Sequence, residues 1–251
     1  MMKRFWIAMA CLGLLAGCAA QQTTEKNSEL AEATREIGEA YMRQGDYTAA
    51  LRELIKAQNL NPDDPYVHND LGLCYMAKER MTDAVKHFKK AIALKPEYAP
   101  ARNNLGSAYL AMEQWDAAIA VFKEITKDVL YATPHFPLYN LGIAYYRKGD
   151  YAKSLDYYRE ALKIQPDFVK ALYGIGRTYL AMNQGSLALR HLERAAQQAP
   201  KVPEIHFDLA EAYVLVGRFD QARHTYETVI DLAPSDSPLA AKARRRMGSL
   251  R

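Results

Sequence analysis

The sequence has little of what most chemistry requires. Cysteine stands at only three of 251 positions, Cys11, Cys18 and Cys74, too few for a disulfide framework and without the CxxC spacing of a zinc site. There is no HExxH, no His-x3-His, no GxSxG and no GxxxxGK[ST], so zinc peptidases, nucleophile-elbow hydrolases and P-loop NTPases are excluded. Gly174-Ile175-Gly176 is a fragment of a dinucleotide fingerprint, but no strand pattern precedes it. A one-sided charge is missing too. Lys and Arg number 33 against 29 Asp and Glu, a net +4 that gives no footing for nucleic-acid binding. Long apolar runs are absent, the clearest being the twelve residues from Phe5 to Ala16, well short of the roughly 20 that span a bilayer. These absences predict no enzyme, no cofactor, no metal and no small-molecule substrate.

The short apolar run follows Lys3 and Arg4, which is the order of a signal peptide over residues 1–17. It ends in Leu15-Ala16-Gly17-Cys18, which resembles the bacterial lipobox. The resemblance implies that Cys18 is lipidated and becomes the first mature residue. Several acyl chains on one cysteine anchor firmly, since each buried CH₂ contributes ~0.8 kcal/mol. Ala19 rather than Asp follows, which by the same resemblance favours a Gram-negative outer membrane and a periplasm-facing protein. Residues 18–30 are polar and without apolar period, a tether.

What is abundant is tyrosine, 17 against 7 Phe and 2 Trp, and it is periodic. Gly38, Gly72, Gly106, Gly142, Gly176 and Ala210 are each followed three residues later by tyrosine, at 41, 75, 109, 145, 179 and 213. Ala50, Ala84, Ala118, Ser154, Ala188 and Ala222 come next, then Leu54, Phe88, Phe122, Tyr158, Leu192 and Tyr226 four residues on. Pro62, Pro96, Pro166, Pro200 and Pro234 close five of these blocks at a spacing of 34 residues, the middle interval being 70. This pattern resembles the tetratricopeptide repeat, a helix pair of 34 residues. Small residues at Gly72 and Ala84 allow two helices to approach, Tyr75 and Phe88 fill the space beside them, and proline ends the second helix. Each pair leaves an apolar face that only a neighbour can cover. The expectation is an all-α, right-handed solenoid of six repeats, 31–64, 65–98, 99–134, 135–168, 169–202 and 203–236, within residues 31–236. Residues 237–251 begin with Ser-Pro, carry five cations and no acid, and read as a basic capping helix. Its charges either face solvent at a helix C-terminus or meet acidic lipid or a partner.

Such an array binds along the first helix of each pair. Candidate partner-binding residues are Tyr66, Asn69, Asn103, Asn104, Ser107, Phe136, Tyr139, Asn140, Ile143, Arg147, Tyr173 and Arg177. Asparagine can hold both the N–H and the C=O of an extended peptide, and aromatics add rigid area at low entropic cost. Some of these rings equally suit packing between repeats.

The third repeat breaks the pattern. Its proline is missing, two residues are added, and Asp128-Val129-Leu130-Tyr131 precedes Pro134 and Pro137. Six repeats, the lipobox, the Asn103-Asn104-x-Gly106 stretch and the elongated junction (Asp128, Leu130, Tyr131) together resemble the type IV pilus biogenesis lipoproteins of the pilotin family (PilF, PilW and Tgl). That resemblance implies a non-enzymatic protein whose partner is an outer-membrane secretin, which it helps to localise and multimerise. A periplasmic adaptor for peptidoglycan hydrolases or synthases, or a general envelope-assembly scaffold, would use the same anchor and repeats.

Overall fold

The computed structural model describes residues 26–128 and 131–250. The described residues form thirteen helices and no strand. Helix α1 spans 26–43, α2 Tyr47–Leu60, α3 Pro65–Ala77, α4 Met81–Leu94 and α5 Ala99–Ala111. Then come α6 Trp115–Thr126, α7 His135–Arg147, α8 Tyr151–Ile164, α9 Val169–Ala181, α10 Gly185–Gln198, α11 Pro203–Leu215, α12 Phe219–Leu232 and α13 Pro238–Gly248. No described helix is long and apolar enough to cross a membrane.

Short polar residues start several helices. Asp64 accepts from the N–H groups of Tyr66 (2.7 Å) and Val67 (3.2 Å), with Pro65 in the first turn, where its missing N–H costs nothing. Asp46 accepts from Ala49 N–H at 2.9 Å, and Ser237 from Ala240 N–H at 3.2 Å. The turn inside each pair depends on one left-handed residue. Gly45, Gly149 and Gly217 have φ of +80°, +78° and +76°, and Glu79, Glu113 and Asn183 occupy the same repeat position at +59°, +58° and +59°. Glycine takes this conformation without strain, whereas a side chain costs about 1–2 kcal/mol there.

Helix pairs close through the small-residue contact. A Cβ on Gly72 would lie 2.4 Å from the Phe88 ring, and one on Gly142 would lie 2.4 Å from the Tyr158 ring. Both rings are buried, so glycine at these positions sets how closely α3 meets α4 and α7 meets α8.

The chain divides into two compact units, the first ending at Met112 and the second starting at Glu113. The first holds α1–α5, with a core that includes Ala50, Leu54, Ala57, Val67, Leu71 and Cys74. The second holds α6–α13, and its core runs through Leu155, Tyr158, Leu172, Ile175, Leu192, Tyr226 and Val229 to Ala243 on α13. Residues 26–30, expected in the tether, belong to α1. Ala31 is fully buried and Thr34 Oγ1 donates to the Leu30 carbonyl at 2.7 Å, so helix packing already operates there. Cys18 and the signal peptide lie outside the described residues, as does Leu130.

Candidate functional site

Within the second unit α7 touches α9 and α9 touches α11, while the even-numbered helices make no comparable contact with each other. The odd helices therefore lie on the inner, more tightly packed side. In the first unit α3 and α5 are neighbours in the same way. The inner faces of the two units differ in chemistry.

The first unit's face is polar and self-satisfied. Asn104 Nδ2 donates to Asn69 Oδ1 at 2.9 Å, and Asn69 Nδ2 donates to Asp70 Oδ1 at 3.2 Å. Arg35 on α1 reaches Asp70 at 3.3 Å and also pairs with Glu39. Asn69 is 4% exposed. Its amide already bonds to a neighbour on either side, which gives it a part in joining α3 to α5 beside the grip on a peptide backbone expected of it. Burial, with the Glu39 carboxylate nearby, pushes Asp70 up to about 6. Ser107 Oγ donates to the Asn103 carbonyl at 3.0 Å within its own helix. Tyr66 is exposed, stands edge-on to Tyr98 at 5.1 Å, and its hydroxyl accepts from Lys95 Nζ at 2.7 Å.

The second unit's face is aromatic. Phe136 is exposed beside His135 and Phe168, at ring distances of 4.3 and 5.5 Å. Tyr139 lies 5.4 Å from Phe168 and 5.8 Å from Tyr158. Burial raises the Tyr139 hydroxyl above the ordinary tyrosine range, so it stays a neutral donor. Arg177 lies over the rings of Tyr146 and Tyr173, at 5.4 and 5.6 Å, and 3.5 Å from the Asp208 carboxylate. A cleft of about 140 Å³ opens among these side chains and includes Ile143, Arg147 and Lys170 in its lining. Of the candidates named from sequence, Tyr139, Ile143, Arg147, Tyr173 and Arg177 converge on this cleft; Asn140 is half-buried on α7.

Two features escape a reading of the sequence. His68 Nε2 donates to the Pro62 carbonyl at 3.0 Å, and His206 Nε2 to the Pro200 carbonyl at 2.9 Å. Both histidines thus satisfy the chain at the preceding repeat's end, and their shared spacing from proline is the available signal. With Nε2 protonated, the neutral His68 ring offers Nδ1 as acceptor to His87 Nδ1–H, 3.0 Å away. Burial holds both rings below the usual histidine range, His87 at about 4. The second feature is α13. Arg246 makes a forked pair with Glu211, Lys242 lies 4.5 Å over the Phe207 ring, and Arg244 donates to the Ser235 carbonyl at 3.1 Å. Three of its cations are therefore engaged within the second unit.

At the junction, Asp128 N–H donates to the Ile125 carbonyl at 3.1 Å, and Tyr131 N–H to the Asp128 carbonyl at 3.2 Å. Both side chains are half-buried.

Repeat profiles described as tetratricopeptide repeat match residues 75–129 and 185–247, 16–59 and 35–99, and 137–168. The chain is a tetratricopeptide-repeat protein. The photosystem I assembly protein Ycf3 of Acaryochloris marina is 30% identical over 99 residues, 39% of this chain and 48% of Ycf3. The repeat array thus spans about half the length of that relative. PilW, a widely conserved type IV pilus biogenesis factor, superposes with a TM-score of 0.79 at 19% identity, over 85% of this chain and 98% of its own. PilF of Pseudomonas aeruginosa gives 0.74 at 17% identity, over 88% and 99%. At such identities the likeness is one of fold, and it bears out the all-α repeat architecture read from the tyrosine period.

Proposed function

We propose that this tetratricopeptide-repeat protein is a non-enzymatic, protein-binding lipoprotein of the outer membrane that assists type IV pilus assembly, with a secretin as its partner. One observation carries the reading: the likeness to PilW runs through nearly all of that protein rather than through a few repeats. The Leu15-Ala16-Gly17-Cys18 sequence supplies the anchor, and the aromatic inner face of the second unit supplies the binding surface. The identity to Ycf3, itself an assembly protein, favours a second and more general reading as an assembly scaffold with another envelope client.

Deletion tests the first reading. Loss of SDS-resistant secretin multimers with secretin monomers retained, and with normal cell shape, is the expected outcome. Normal multimers and surface pili in the deletion strain would refute it, and disturbed septation would point to a peptidoglycan adaptor. The anchor is tested separately by Cys18→Ser, which should abolish incorporation of labelled palmitate.

A further inference from the structure

Two positions before the small residue of each repeat stand Glu36, Asp70, Asn104, Asn140, Gly174 and Asp208. Five of the six are polar side chains of similar size. The fifth repeat has none. At Asp70 and Asp208 the side chain fills its place and meets an arginine, Arg35 at 3.3 Å and Arg177 at 3.5 Å. At Gly174 the ring of Tyr158 comes up instead. A Cβ added there would lie 2.6 Å from its Cζ. Here alone in the row, the missing side chain leaves an aromatic ring lining an open cleft, with Tyr139 and Tyr173 as further walls.

The cleft's volume, about 140 Å³, is close to that of a cavity of roughly 150 Å³ that accepts a benzene ring. Its charge is one-sided. Arg177 is paired with Asp208, but Arg147 and Lys170 are exposed and form no ion pair among the described residues, and no carboxylate lines the cleft. We propose that this cleft seats one aromatic side chain of an extended partner segment, with acidic residues on either side of it meeting Arg147 and Lys170. An apolar side chain gains by leaving water, while unpaired rim cations select the flanking charge and speed encounter. The inference rests on the protein-binding role proposed above but requires no particular partner.

The test uses the full chain and three fluorescein-labelled Gly/Ser peptides with central Asp-Phe-Asp, Asp-Ala-Asp or Lys-Phe-Lys, read by fluorescence anisotropy. Asp-Phe-Asp should bind about tenfold or more tightly than either control. Arg147→Glu combined with Lys170→Glu, at two exposed positions, should reverse the preference toward Lys-Phe-Lys. Gly174→Asn, which restores the side chain of the two preceding repeats, should erase the difference between Phe and Ala; circular dichroism monitors whether Tyr158 has been displaced. Equal affinity for the Phe and Ala peptides, indifference to the charge reversal, or no binding of any peptide up to about 1 mM would each overturn the proposal. Failure of the secretin test with this selectivity intact would remove the pilus reading and leave the cleft.

Discussion

Replacing Asp70 by Asn tests the electrostatics of the first unit. Asp70 is 7% exposed and faces Arg35 and Glu39 on α1, Asn69 beside it, and the Cys74 thiol one turn on. Burial, reinforced by Glu39, lifts its carboxyl from an ordinary 3.8 to about 6. The folded state therefore holds this proton more tightly than the unfolded chain does. Between the two values the native protein binds more protons, so stability falls as pH rises from about 4 to 6, and the loss is complete above 6. Asparagine stands at this position in the next two repeats, as Asn104 and Asn140. It can keep the bond from Asn69 while forgoing the ion pair with Arg35, so Asp70→Asn should gain roughly 1–3 kcal/mol at pH 7.5 and little at pH 4. Urea midpoints for both proteins between pH 4 and 8 supply the measurement. A wild type whose stability is flat across that range, or a variant less stable at pH 7.5, would refute the reasoning.

Other consequences are as direct. The Tyr158 ring is held between Gly142 and Gly174, whereas Phe88 presses on Gly72 and the residue matching Gly174 in the repeat after it is Asn104; Gly142→Ala should cost about 2 kcal/mol, within the usual overpacking range, and more than Gly72→Ala. A reversed order of urea midpoints would contradict this packing. At the left-handed turns, Gly45→Ala should lose about 1 kcal/mol, while Glu79→Gly at the equivalent place should be neutral or gain up to about 1, the relieved strain outweighing the added chain entropy. Marked destabilisation by Glu79→Gly would mean that the turn is not strained. Cys74 is buried and its thiol is pushed up to about 12 by desolvation and Asp70, so native protein at pH 8 should resist alkylation at Cys74 by iodoacetamide and react once denatured. Rapid labelling without denaturant would count against the packed first unit.

How much of this is legible in sequence depends on whether a feature repeats. Gly72 with Phe88 and Gly142 with Tyr158 are contacts of one kind at one spacing, so period and residue size together disclose both the helix pairs and what holds them. The left-handed turns repeat just as strictly, yet Glu79, Glu113 and Asn183 carry no signal, because the geometry of two packed helices imposes the backbone whichever residue stands there. Gly45, Gly149 and Gly217 at the same positions are the available clue. Asn69 shows the opposite case. Its type suits peptide binding, but how much of an amide is free depends on what its neighbours offer, and Asn104 and Asp70 already take one lone pair and one N–H of it.

The same consideration underlies our proposal that recognition lies in the second unit. An inner face can bind a partner only where its polar groups are unspent and its apolar surface is uncovered. In the first unit the row three positions before the small residue reads Arg35, Asn69 and Asn103, and the first two are joined through Asp70. In the second unit that row reads Tyr139, Tyr173 and Phe207. Phe207 is buried and lies under Lys242 of α13, so the C-terminal helix has already taken the last ring. Tyr139 and Tyr173 remain partly uncovered, side by side on α7 and α9, with Gly174 adjoining. A partner that displaced nothing would find apolar ring surface to cover there, and the exposed Arg147 and Lys170 would decide which charges it brings.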